Sequence, residues 1–260
     1  DDPEQGPAAR ELYENAREML DEIVADRSLR AEAVYGFWPA HSQDETLVLF
    51  DPAAPENETA RFPMLRQQQV HTDDRPNRSL ADLIAPSDSD LQDHLGLFVV
   101  AIHGAEEIAK RHENDKDDYA AILVKAIADR LAEAAAEWLH RQARIDWGYE
   151  TGETFSPTDL LQERYRGIRP AFGYPACPDH SQKALHFDLL GADEIDCALT
   201  DHMAMTPAAS ISGFYFGHPD AKYFGVGRID RDQVEAYADR ADLSLQETER
   251  WLAPWLAYDV

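Results

Sequence analysis

Apolar positions recur along the chain in two spacings, and the switches between them mark out its elements. From residues 8 to 26 they fall at Leu12, Ala16, Met19, Leu20 and Ile23, one face of an amphipathic helix. The stretch before it, residues 1–7, is polar and expected to fray. Residues 33–38 and 46–50, rich in β-branched and aromatic side chains, flank a polar turn and predict a hairpin. Residues 51–78 carry prolines and polar residues with little periodicity and are expected to be mostly loop, with residues 62–65 tucked in. A short helix is predicted over 79–84, stopped by Pro86. The apolar run 95–102, ending at His103-Gly104, reads as a buried strand and a tight turn, with a helix from near Ala105.

The longest periodic segment runs from 117 to about 145. It is rich in alanine and free of Gly and Pro, and Ile122, Ala126, Ile127, Leu131, Ala134, Ala135, Trp138 and Leu139 mark its expected apolar face. Ser156-Pro157 starts a helix that is expected to carry Glu163 toward the loop that follows. Residues 181–190 form another helix, ended by Gly191. Residues 210–216 and 222–229 predict a second hairpin across a bulged turn. Asp230 is placed to cap a helix over 231–240, and Ser244 with Glu247 forms a capping box for the last helix, interrupted by Pro254. Neighbouring strands look like hairpin partners and none leads into a glycine-rich phosphate loop. The expected fold is therefore α+β: a single domain with a twisted antiparallel sheet, packed helices and one long central helix.

Charge and cysteine content narrow the function. Against 24 Lys and Arg stand 50 Asp and Glu, a net charge of −26, and no basic cluster suited to phosphates stands out, so no nucleic-acid partner is expected. The acidic excess suits solubility, or a salty cell interior in which screening relieves self-repulsion. No apolar run reaches the roughly 18 residues a membrane span needs, and no signal peptide is expected. Cys177 and Cys197 make no disulfide framework and lack zinc spacing, which fits a reducing cytoplasm. His41, His71, His94, His112 and His202 lie in polar contexts, His103 and His218 sit at turns, and no HExxH spacing occurs, so no metal site is expected.

Candidate chemistry gathers in residues 169–178, Arg-Pro-Ala-Phe-Gly-Tyr-Pro-Ala-Cys-Pro. Three prolines and one glycine in these ten residues forbid a regular helix and predict a stiff, extended loop. Arg169 offers a planar fork for a carboxylate, Gly173 allows close approach to the backbone, and Tyr174 adds a ring with a polar tip. Such a loop suits a small zwitterion. Cys177 lies between alanine and proline with no nearby base, so a nucleophilic role is not supported.

The motif Arg-x-x-x-Gly-Tyr-Pro-Ala-Cys-Pro resembles the signature of the activation domain of cobalamin-dependent methionine synthase. The resemblance continues through Ser212-Gly213-Phe214-Tyr215-Phe216, His218-Pro219-Asp220-Ala221-Lys222-Tyr223, Arg231-Asp232-Gln233-Val234-Glu235-x-Tyr237-Ala238 and Glu249-Arg250-Trp251-Leu252-Ala253-Pro254. Upstream, residues 124–134 and 36–40 match as well, so nearly the whole chain is covered in family order.

This resemblance implies a domain, spanning 1–260, that binds S-adenosylmethionine and supports reductive methylation of cob(II)alamin to methylcobalamin. The cobalamin would be held by a partner domain, and a flavodoxin-like reductant would supply the electron. The domain belongs to a methyltransferase, and the isolated chain is expected to be inactive. Arg169 is implied to meet the ligand carboxylate, the alternative being a structural pairing with Glu163. Tyr223 and Phe224 match site-lining positions. Adjacent strand residues point to opposite faces, so the Tyr223 ring and at most the Phe224 backbone are expected to serve. Glu133 on the long helix and Glu163 are acidic candidates for the ammonium, ribose or sulfonium. Glu133 stands in a stripe with Asp129 and Glu137, which would otherwise be read as a solvated face. The backbone of Ala176 and Cys177 is implied to contact adenine, while Tyr174 and His180 flank the loop that faces the corrin. The family pattern also holds an upstream aspartate that this sequence does not include, which implies an excised domain or split subunit. The competing reading is a non-catalytic module that clamps a cobalamin-binding domain without binding S-adenosylmethionine. Acidic reductants would be repelled by this charge unless folding creates a basic patch.

Overall fold

The computed structural model describes residues 6–152 and 155–260; of the opening expected to fray, residues 1–5 lie outside them and Gly6 and Pro7 begin the first helix. In chain order the elements are α1 (Gly6–Asp26), β1 (Arg30–Gln43), β2 (Thr46–Asp51), β3 (Ala54–Pro63), β4 (Asp93–His103), α2 (Ala105–Asn114), α3 (Asp118–Trp147), α4 (Pro157–Leu161), α5 (Lys183–Leu190), β5 (Ala198–Leu199), β6 (Met205–Thr206), β7 (Ser210–Tyr215), α6 (Arg231–Ala241) and α7 (Leu245–Leu252). A five-stranded antiparallel sheet runs in the order β3-β2-β1-β4-β7, and β5 and β6 form a small ribbon. The α+β class with an antiparallel sheet and one long helix is as the sequence predicts. Among the described residues no helix is long and apolar enough to cross a membrane.

The chain divides into two compact units. One takes the chain up to Val34, then Val100–Leu139 and Ala192–Ile211; the other takes Tyr35–Val99, His140–Gly191 and Ser212–Val260. In the first, Ile23 of α1 packs with Ile108 and Ala109 of α2 and Leu123, Val124 and Ile127 of α3. In the second, Leu65, Val226, Ile229, Val234, Tyr237, Leu252 and Leu256 form a core under α6 and α7. Its sheet face carries an aromatic stack in which the Tyr215 ring lies between Phe98, at 4.5 Å, and His140, at 4.9 Å.

Several expectations need correction. Residues 54–63 form β3, paired antiparallel with β2 through bulges beside Phe50. It was hidden because an edge strand tolerates proline at its ends and exposes polar residues, here from Pro55 to Thr59. Phe62, Met64 and Leu65 are buried as expected. The second correction concerns α3, whose buried face is only partly the expected one: Ile127 and Leu139 are buried and Leu131 and Ala135 pack against the core, but Ala126 and Ala134 are exposed. Ile122 and Trp138 are 68 % and 65 % exposed, while Val124, Ala128, Ala132, Ala136, His140 and Arg144, spaced four apart, are all buried. Where that row is alanine, at Ala128, Ala132 and Ala136, neighbouring backbone can come close.

Residues 222–229, the third, form no strand. The free side of β7 is taken instead by the stretch beginning at Ile168, through antiparallel bridges Ile168↔Phe216 and Ala171↔Gly213. The 222–229 backbone bonds elsewhere, from Val226 N–H to Pro175 O at 2.9 Å and from Ile229 N–H to Trp255 O at 3.0 Å. Last, Asp230 occupies the cap position of α6 without a side-chain cap bond, and α4 ends at Leu161, short of Glu163. The capping boxes of Ser79, Ser156 and Ser244 all form.

Candidate functional site

The stiff loop lies wholly in the second unit, anchored along β7. Phe214 N–H donates to Pro170 O at 3.0 Å, and Ile168 and Phe216 exchange bonds of 3.1 and 3.0 Å. Gly213 is what permits this approach, since a Cβ there would stand 2.3 Å from Pro170 O. Phe172 points inward, its ring 5.0 Å from both Phe214 and His186. The β7 motif and the loop motif are therefore two sides of one joint.

Beyond the anchor the chain folds back in a tight turn. Gly173 N–H donates to Cys177 O at 2.8 Å, and Cys177 N–H donates to Tyr174 O at 2.9 Å. Gly173 adopts φ +86°, with the His180 imidazole so near that a Cβ would lie 2.3 Å from its Cε1. The close approach at Gly173 is thus made by His180 from within the loop. At the loop's exit, Asp179 is buried and accepts from Ser181 N–H at 2.8 Å, Ser181 Oγ at 2.6 Å and the Tyr237 hydroxyl at 2.7 Å. Tyr237 in turn accepts from Gln182 Nε2, which also reaches Pro63 O at 2.7 Å. The α6 motif therefore supplies a clamp on the loop, a role its sequence does not announce.

The segment after β7 closes on the same loop. Arg169 N–H donates to the Tyr223 hydroxyl at 3.0 Å, and Arg169 Nη1 donates to the Tyr165 hydroxyl at 2.7 Å. Tyr223 is 41 % exposed, whereas the next residue, Phe224, packs against the core around Val226 and Ile229. The two side chains diverge as alternation predicts, although the backbone here is not a strand.

The structure thus brings together Arg169, Gly173, Tyr174, Ala176, Cys177, His180 and Tyr223. Tyr174 is exposed, and Ala176 and Cys177 are buried. Burial pushes the Cys177 thiol well up, with Asp179 adding to the effect, so it is held as a thiol and is no nucleophile. Burial also lowers His180, helped by Lys183 and opposed by Asp179, which favours a neutral ring beside the loop. Because Cys177 N–H is committed to Tyr174, only its carbonyl, with a second lone pair, remains for an added contact. Glu163 is exposed, at φ +50° just past α4. Glu133 is half-buried on the part of α3 that belongs to the first unit. Among the described residues no group of three or more His, Cys, Asp or Glu side chains is placed to hold a metal ion.

These features define an α+β module with a stiffened loop that gathers one guanidinium, two exposed phenols and a buried thiol. Residues 1–242 match the family described as vitamin B12 dependent methionine synthase, activation domain. A crystal structure of the MetH reactivation domain bound to AdoHcy is similar at a TM-score of 0.93 and 42 % identity, covering 100 % of this chain and 80 % of that one. The chain belongs to the activation-domain family of vitamin B12 dependent methionine synthase, a methyltransferase.

Proposed function

We propose that this chain binds S-adenosylmethionine at the stiff loop and presents its methyl group to cobalamin held by a partner domain. The bond from Arg169 N–H to the Tyr223 hydroxyl carries the reading, because it ties two motifs 54 residues apart into one place. The similar reactivation domain, bound to AdoHcy, supports it, since AdoHcy is the demethylated form of the proposed ligand.

The Arg169 guanidinium, oriented by Tyr165, takes the ligand carboxylate. The exposed rings of Tyr174 and Tyr223 offer electron-rich faces to a sulfonium or an adenine. The Cys177 carbonyl and the Ala176 backbone face the adenine, and Tyr174 with His180 borders the corrin. Glu133 and Glu163 are the acidic candidates for the ammonium or ribose. Cobalamin supplies the cobalt that accepts the methyl group, and a flavodoxin-like reductant supplies the electron consumed. The chain's task is to position the sulfonium, for which rigidity suffices and no acid-base pair is needed. Alone it turns nothing over.

Calorimetry with S-adenosylmethionine tests this. Binding should weaken at least about tenfold in Arg169→Ala, the loss expected for a charge-assisted pair. The bond to Tyr223 uses the backbone of residue 169 and survives that change, so the fold is expected to hold. No binding heat in the unmodified chain favours the module that clamps a cobalamin-binding domain without this ligand.

A further inference from the structure

A cavity of about 400 Å³ opens within the second unit, beside the C-terminal end of α3. Among the described residues its walls carry three arginines, Arg144, Arg164 and Arg166, the phenols of Tyr149 and Tyr165, and one carboxylate, Glu150. Arg144 is 0 % exposed. Its Nε donates to Glu150 at 2.5 Å, and neither terminal nitrogen has a hydrogen-bond partner among the described residues. Glu150 is not its alone, for Arg141 lies 3.4 Å from the other carboxylate oxygen. The Arg144 guanidinium lies over the Tyr165 ring, 4.0 Å from its centre, and Arg166 lies over Tyr149 with its Nε donating to Gly217 O at 2.6 Å.

Burying a guanidinium is costly, and leaving its donors unmade costs more, so such groups are normally paired. Water filling the cavity would satisfy the donors and leave the charge. Among the described residues, the carboxylates paired with Arg141, Arg144, Arg164 and Arg166 are Glu150 and Asp159, a surplus of two positive charges within that set in a chain of net −26. Those fixed, forked donors suit a ligand with several acceptor oxygens and a double negative charge.

We propose that this cavity binds a phosphate dianion, free or as the end of a phosphomonoester. Arg144 would meet it from the cavity wall, with Arg164 and Arg166 at the exposed rim. The site is separate from the ligand proposed for the loop, although Tyr165 belongs to this wall and also accepts from Arg169.

The test is calorimetry and thermal unfolding of the chain at pH 7.5 with inorganic phosphate, acetate or chloride at matched ionic strength. Phosphate should raise the melting temperature saturably and the other two should not. Arg164→Gln and Arg166→Gln, both at exposed positions, should keep the fold and weaken phosphate at least about tenfold. Arg169→Ala should leave the phosphate response intact, which separates this site from the loop. Phenyl phosphate binding more tightly than inorganic phosphate identifies an ester as the source, and equal binding identifies the free ion. A shift no larger than that of acetate, or one unchanged in Arg166→Gln, overturns the proposal.

Discussion

His186 and Arg169 stand at opposite ends of what a residue's identity reveals. Arg169 was legible, because a guanidinium at the head of a proline-stiffened loop has few uses. His186 was one histidine among ten. In the structure it is 0 % exposed, its Nε2 3.0 Å from Phe98 O, and burial lowers its pKa to about 4 despite that bond, with Lys183 adding. Burial also lowers His140, next to Arg144. The unfolded chain takes up a proton on residue 186 near pH 6.5, while the folded chain refuses it until near pH 4. Its contribution is therefore complete above pH 6.5 and is lost as pH falls toward 4, by up to about 3 kcal/mol. Urea unfolding at pH 7, 6 and 5 should show that decline, and His186→Gln should flatten it. An identical slope in the variant would contradict a neutral buried imidazole. No local pattern marks His140, Arg144 or His186 as interior, because their burial is decided by rings from distant elements.

At the scale of elements, those with local causes were read correctly. Capping boxes, proline stops and strong periodicity placed α1, β4, α5 and α7, since each is settled within a few residues. The errors fell where a partner decides. β3 exists because β2 offers it a ladder, and residues 222–229 are no strand because the Ile168–Ala171 stretch took the place beside β7. The stiff loop lies between these cases: its rigidity was plain, and its docking on β7 was not. Gly173 is its tightest point, with φ +86° and a Cβ position 2.3 Å from the His180 ring. Gly173→Ala should destabilise the chain by about 1–3 kcal/mol, as expected for a strained backbone position, and weaken S-adenosylmethionine binding with it. Chemical denaturation alongside calorimetry measures both, and unaltered stability would mean that the turn relaxes freely.

For the whole molecule, a net charge of −26 spread over 260 residues sets the background. Self-repulsion of this size weakens the compact state, and screening relieves it. The melting temperature should therefore climb between about 0.1 and 1 M KCl, over which the Debye length falls from about 10 to 3 Å. A fall over that range would show that attractive ion pairs such as Arg66 with Glu45 and Asp82 outweigh the repulsion. Folding also redistributes the charge. Arg144, Arg164 and Arg166 come from two separate stretches of the sequence, yet they line one cavity, a local gathering of positive side chains that composition gave no hint of. By itself the sequence determined the α+β class, most helices, the stiffness of the loop and its kinship, because these follow from local spacing, backbone restriction and contiguous motifs. Only the tertiary structure decided which face of α3 is inside, what pairs with β7, that Tyr223 closes on Arg169, and where the arginines converge. Each of these depends on residues far apart in the chain competing for the same neighbour, and the outcome of that competition is written in no single segment.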